Sequence, residues 1–385
     1  QEALRWWDYW LKGKETGIMD EPMLRAYVQD GIPPKTYYHN IPGKWVGENN
    51  WKKAEQLYEE LYLVRDRLIE SAPEKNDEVV VTSAQQHGLF SGVFCPFGLK
   101  GEYPGDQRNE NGYATLFTSE PLEEDMSILG FPKLKVEFSS DKPLANMIVR
   151  LNHLLPDGSS TRVSWGVLNL THLNSHEFPE ELVPHQKYEA TIELNAIGYT
   201  IPKGHRIEVA ISPTYWPHIW PSPEEVNLTV YLNEKTKLLL PVREDKETDK
   251  QITFETPETC KEIDRKMLKD ASKTRKVYHD LTTGEWVLED YSNEGIRKLQ
   301  TNGMECGSEN TNYFRIKEGD PLSASLQSDW VLQVGRDEWT TRVETTSKMT
   351  ADHTHFHIYN HLIAYEGDEE IFNKEWKTSI RRDFI

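Results

Sequence analysis

The chain has 385 residues, 37% of them hydrophobic, with 12 Trp, 17 Tyr and a formal net charge of −19; that length suits two or three domains. A balance this acidic excludes nucleic acid as a partner, because phosphate binding needs a basic surface, and no run of about eighteen apolar residues exists to span a membrane. Cys95, Cys260 and Cys306 are widely spaced and odd in number, which argues against a disulfide framework and for a reducing, cytoplasmic compartment, unless an upstream signal peptide directs secretion.

Residues 1–17 predict an amphipathic helix. Leu4, Trp7 and Leu11 recur at three- and four-residue spacing, Trp6 and Trp10 form an i,i+4 pair, and Gly13 stands where the helix should end. So much indole on a short helix needs a large surface to bury against, so the chain is expected to begin in mid-fold, as a fragment. MLRAYVQD then alternates like a strand, and a Pro/Gly/Trp loop follows (IPPKTYYHNIPGKWVGENNW). KKAEQLYEELYLVRDRLIES is ambiguous: its charges read as helix, whereas LYLV reads as strand. A Ser/Pro/Glu/Lys/Asn run near Ser71–Asp77 marks a boundary.

From residue 78 to 245 the pattern is one short strand after another, from EVVVTS through PKLKVEFSS, ANMIVRLNHLL and HRIEVAISP to KLLLPV, with turn signals such as PDGSS between them and no helical segment. That rhythm predicts a β-sandwich or jelly roll rather than a parallel sheet. A charged linker (REDKETDKQ) opens residues 246–385, which return to strands: a hairpin around Thr283–Gly284, then SASLQSDWVLQVG, WTTRVETTSKMT, HTHFHIYNHLIAYEG and EIFNKEWKTSIRRDF. Their alternation predicts an antiparallel meander with one face in a core and the other in water. Three segments result: 1–75, 76–245 and 246–385.

Catalytic signatures are missing. There is no G-x-S-x-G elbow, dinucleotide fingerprint, P-loop or H-E-x-x-H. Ser91 in GLFSGVF comes nearest to a nucleophile but lacks a strand–turn–helix setting, and Cys95 in FCPFG reads as a small hydrophobe rather than a reactive thiol. His353, His355, His357 and His361 form the strongest constellation, the first three projecting from one strand face at two-residue spacing. They suit either zinc, with Asp352 or Asp329 as orienting carboxylate, or the hydrogen-bonded polar face of a sheet. No catalytic or metal residue and no cofactor is assigned. In SPTYWPHIWPSP, Tyr215, Trp216 and Trp220 stand among Pro213, Pro217, Pro221 and Pro223; such a loop caps a core, lines a neighbour's apolar pocket or holds a sugar. Glu120, Glu123, Glu124 and Asp125 match no calcium-loop spacing and read as a solvated turn.

Several of these stretches together resemble the C-terminal half of the cocaine-esterase/X-Pro dipeptidyl-peptidase family of α/β-hydrolases. RWWDYWLKG with MDEPMLRAYVQD is similar to the segment by which that family leaves its catalytic domain. PGDQRNENG, LFTSEPLEEDMSILGFPKLKVEFSSDKP, NHLLPDGSSTRVSWGVLNLTH and IPKGHRIEVAISPTYWP resemble its C-terminal jelly roll, in order over roughly residues 1–240. The tail, with MTADHTHFHIYNH and IRRDF, resembles an extension of one branch. The resemblance implies a mainly β fold, a galactose-binding-like jelly roll with a helical linker before it and a β-meander after it. It also makes Leu61–Leu63 a strand. It implies a Ser–Asp–His triad lying wholly upstream of Gln1, so that the chain alone hydrolyses nothing, with an N-terminal α/β-hydrolase domain as partner. Phe94 and Phe97, before Asp106-Gln107-Arg108, and Trp216 are then the substrate-pocket candidates, and Asp106 with Arg108 a structural ion pair. Rival readings are a glycan-binding module built on Trp216 and a homo-oligomer joined through the C-terminal meander.

Overall fold

The computed structural model describes residues 1–51 and 57–385, so the helical reading of Lys52–Gln56 lies outside the described residues. Helix α1 (Glu2–Lys12) ends as its sequence dictates. Gly13 takes φ 64°, and the Lys14 N–H turns back to Asp8 O at 3.1 Å. No residue of α1 is buried. Ion pairs tether it, Arg5 to Glu21 at 2.6 Å and Glu2 to Arg25.

The strands fall into three sheets. The first part of the chain supplies β1 (Leu24–Asp30), β2 (Gly43–Glu48), β3 (Glu59–Val64), β4 (Arg67–Ile69) and β5 (Asp77–Val81). After the one-turn helix α2 (Arg108–Asn111) come β6 (Thr115–Thr118), β7 (Met126–Gly130), β8 (Lys133–Ser140), β9 (Asn146–Leu154) and β10 (Ser160–Asn169). Then follow β11 (Tyr188–Glu193), β12 (Ile197–Ile201), β13 (Arg206–Ser212), β14 (Leu228–Leu232) and β15 (Lys237–Leu240). The tail adds β16 (Arg265–Lys269), β17 (Ser272–Asp280), β18 (Glu285–Leu299) and β19 (Glu305–Lys317). It ends with β20 (Asp320–Arg336), β21 (Trp339–Ala351), β22 (His355–Glu366) and β23 (Glu369–Arg381).

An 11-stranded sheet runs β10-β9-β13-β6-β4-β3-β15-β8-β14-β5, with β11 also on β8. Alternate residues from its two ends, Met147, Val149 and Leu151 of β9 with Val209 and Ile211 of β13, and Leu134, Val136 and Phe138 of β8 with Leu228 and Val230 of β14, enter one core. The sheet therefore folds over on itself as a β-sandwich, and the fold is mainly β as expected. Leu61–Leu63 is strand, with Leu63 wholly buried. A four-stranded sheet, β2-β1-β12-β7, lies beside the sandwich. Its strand β2 corrects the reading of residues 32–51 as loop; Pro and Gly on both sides hid it. In the same way α2 corrects the expectation that no helix interrupts residues 78–245, being too short to show a period.

The tail forms an eight-stranded antiparallel sheet, β16-β18-β19-β20-β21-β22-β23 with β17 on β18. The expected hairpin turns at Gly284, φ 69°. The expected buried face needs correction. Apolar side chains do line up on one face, as in the cross-strand row Leu332–Val343–Ala364–Phe372. That face meets the sandwich and its loops at β17–β20 and at Phe356; no residue of β23 is buried. Among the described residues no second layer packs on the rest of it.

Candidate functional site

Between β5 and β6 the chain makes a long loop, residues 82–114, whose root is locked by buried charge. Gly88 sits at φ 108°, and a Cβ there would lie 2.4 Å from Trp216 O; only glycine fits. From α2, Glu110 is wholly buried and accepts the N–H groups of Gly88 and Phe90, each at 2.7 Å. Burial pushes its carboxyl up, against the pull of Arg150 and those N–H groups. His87 Nε2 lies 3.2 Å from Glu110 Oε2, and burial, with Arg150 adding, holds the imidazole far below its ordinary pKa. Arg150, 1% exposed, donates to Gln107 Oε1 at 2.8 Å.

A second carboxylate holds the tip. Glu102 accepts from Phe97 N at 2.8 Å, Leu99 N at 3.0 Å and Lys273 Nζ at 2.8 Å. Burial opposes its charge, but Lys273 and the two N–H groups prevail and its pKa is lowered. Arg275 donates to Gly92 O and Asp290, which ties the loop to β17 and β18. The fixed tip presents Phe94 at 73% and Phe97 at 86% exposure. At its base, Phe94 lies 6.1 Å from both Trp165 and His218, and Arg162 bonds Tyr215 Oη at 2.7 Å.

Of the substrate-pocket candidates, then, Phe94 and Phe97 share one rigid loop. Trp216 does not join them. Its indole is 1% exposed and packs on Trp220 at 5.1 Å and Phe314 at 6.3 Å, between the sandwich and the tail sheet. A ring buried there positions the loop from behind and offers no platform to a sugar. Asp106 and Arg108 form their ion pair at 2.5 Å.

Ser91 is wholly buried, and its Oγ finds no hydrogen-bond partner among the described residues. Sequence reading missed a different set: Ser83 Oγ lies 3.2 Å from His87 Nδ1, so that Ser83, His87 and Glu110 line up as in a triad. QQHG carries no spacing signal, and the glutamate comes 23 residues later. The imidazole is wholly buried, its pKa is held well below the ordinary value, and its Nε2 makes no hydrogen bond among the described residues, which does not suit a base that meets substrate. Of the histidine cluster, His353 lies in the turn before β22, off the face that carries His355, His357 and His361. His357 pairs with Asp352 at 2.8 Å and His361 with Asn373 at 2.8 Å; among the described residues no three metal-ligating groups converge. A surface depression of about 640 Å³, lined by Lys135, His172, Glu189 and Lys235 among others, shares no residue with the loop. Among the described residues no helix is long and apolar enough to cross a membrane.

Comparison with known proteins bears on this arrangement. The family model of the X-Pro dipeptidyl-peptidase C-terminal non-catalytic domain matches residues 16–259. A Mycobacterium bovis protein named "Putative serine esterase" is 24% identical, covering 55% of this chain and 35% of its own. A Bacillus anthracis protein named "Putative Xaa-Pro dipeptidyl-peptidase" is 23% identical, covering 60% and 36%. The chain thus spans about a third of the length of these curated relatives. Among solved structures, an aminopeptidase from a marine sediment Thaumarchaeota archaeon covers 63% of this chain and 43% of its own at 18% identity, TM-score 0.49. A CocE/NonD family hydrolase from Staphylococcus aureus covers 63% and 45% at 15% identity, TM-score 0.48. With the family model matched over more than half its length, the chain belongs to the X-Pro dipeptidyl-peptidase C-terminal non-catalytic domain family.

Proposed function

We propose that this chain serves a serine hydrolase of the acyl-esterase or X-Pro dipeptidyl-peptidase type, covering its active site and supporting a Ser–Asp–His triad on an α/β-hydrolase domain upstream of Gln1. The observation that carries the reading is an exposed aromatic tip, Phe94 and Phe97, on a loop fixed at the tip by Glu102 and at the root by Glu110. An apolar group held on a rigid support is what a pocket wall needs. Helix α1 adds the docking surface, with Trp6, Trp7, Trp10 and Leu11 all exposed.

In this reading residues 1–75 join the hydrolase domain to the sandwich and lend it β3 and β4, residues 76–245 form the rest of the sandwich, and residues 246–385 form the extension. The joint is stiff because β1 pairs with β12, β3 with β15 and β4 with β6. Trp216 acts from the interior, holding the loop. The compartment in this reading is the cytoplasm.

The test is Phe97→Ala in the full enzyme, hydrolase domain included. Loss of a pocket phenyl should lower kcat/KM for apolar acyl substrates by roughly 10- to 100-fold. Unchanged kcat/KM for every ester and X-Pro substrate assayed would remove Phe97 from the pocket.

A further inference from the structure

Strand β23 ends the tail sheet, and among the described residues no strand pairs with its outer edge. Such an edge is a template for another chain unless charge or proline blocks it. This one is long, lacks proline and mixes its charges: Glu369, Glu370 and Glu375 with Lys374, Lys377 and Arg381.

We propose that β23 is a homodimer seam, pairing antiparallel with β23 of a second copy about a two-fold axis at Trp376. The axis at Trp376 opposes apolar with apolar and acidic with basic side chains. Antiparallel partners directly opposite each other point to the same face, so the apolar face that carries Phe372, Trp376 and Ile380 continues across the seam only when even-numbered residues meet even-numbered ones. With the axis at Glu375, two carboxylates would oppose each other; at Lys377, two ammonium groups would. At Trp376 no like charges meet. Trp376 faces Trp376, Phe372 faces Ile380, Glu375 faces Lys377 and Asn373 faces Ser379, each pair repeated by symmetry.

The occupant is a second copy because one short sequence supplies both halves of every pair. Phe372, Trp376 and Ile380 are 45%, 41% and 53% exposed in the single chain, and the seam gives each an apolar partner. The C-terminal residues do not obstruct it. Arg382 turns away to Pro221 O at 2.7 Å, and Phe384 O meets Asn169.

Sedimentation velocity over a wide concentration range tests the seam. The chain should approach twice its 44.8 kDa mass as concentration rises. Lys377→Glu sets Glu375 against a carboxylate in both symmetric pairs and should weaken the dimer about tenfold or more. Glu375→Lys with Lys377→Glu restores opposite charges and should recover association. A strict monomer at all concentrations, a dimer indifferent to Lys377→Glu, or a double variant no tighter than the single one would each overturn the proposal. All these side chains are exposed, so the fold itself is not at risk in the variants.

Discussion

Truncating Trp216 to alanine should loosen the joint between sandwich and tail sheet. The indole is 1% exposed and belongs to a cluster with Leu89, Leu288, Ile316 and Ala324, flanked by Trp220 and Phe314. Removing a buried aromatic side chain costs about 3–5 kcal/mol when the cavity cannot collapse. Collapse is resisted here because the cluster draws on three elements: the 82–114 loop, the proline-rich 213–223 loop and strands β18–β20. About 4 kcal/mol is roughly a thousandfold in the folding equilibrium. Urea denaturation followed by circular dichroism reads the loss, and limited proteolysis should show the tail sheet cut first. Phe314→Ala in a double-mutant cycle should couple to Trp216→Ala by about 1 kcal/mol, the worth of an edge-to-face pair. A wild-type urea midpoint in Trp216→Ala would refute the buried joint. Loss of sugar binding at unchanged stability would return Trp216 to a surface role.

Two further outcomes follow from groups inside the sandwich. His153 is wholly buried, bonded to Tyr199 Oη at 2.9 Å and His205 at 2.6 Å, and burial, with His205 adding, lowers its pKa to about 4. The unfolded imidazole takes its proton first, so this contribution is complete above pH 6.5 and is lost as pH falls toward 4, by about 3 kcal/mol in all. His87 and His218 act in the same direction. The melting temperature should therefore drop through that window, less steeply in His153→Gln, and an identical slope in both proteins would count against the argument. Gly88→Ala should cost about 3 kcal/mol or more, since its Cβ meets backbone at 2.4 Å with φ 108°. Gly98→Ala, at φ 85° with nothing within 4 Å, should cost only about 1 kcal/mol; equal midpoints for the two would rule out the close approach.

Periodicity made most of the sandwich legible, since β8, β9, β13 and β14 alternate cleanly or run continuously apolar. It failed at β7 and β12, five residues each, where glycine and proline punctuate the pattern, and at β16, which is exposed throughout. The tail strands were legible, but alternation records only which face is apolar and not whether anything covers it. Phe94 and Phe97 were reached through family likeness; their exposure and the hold of Glu102 on the tip depend on contacts from Lys273, 171 residues away. Trp216 reads equally as core cap, pocket wall or sugar platform, because an aromatic among prolines reads alike inside or outside a core; its burial fits the cap. The Ser83–His87–Glu110 alignment had no sequence signal at all.

The proposed function puts catalysis on a hydrolase domain outside these 385 residues. Treating the purified chain with a fluorophosphonate probe and reading its intact mass tests that claim most directly. No adduct should form. A shift of one probe adduct, localised to Ser83 or to any other serine, would contradict it.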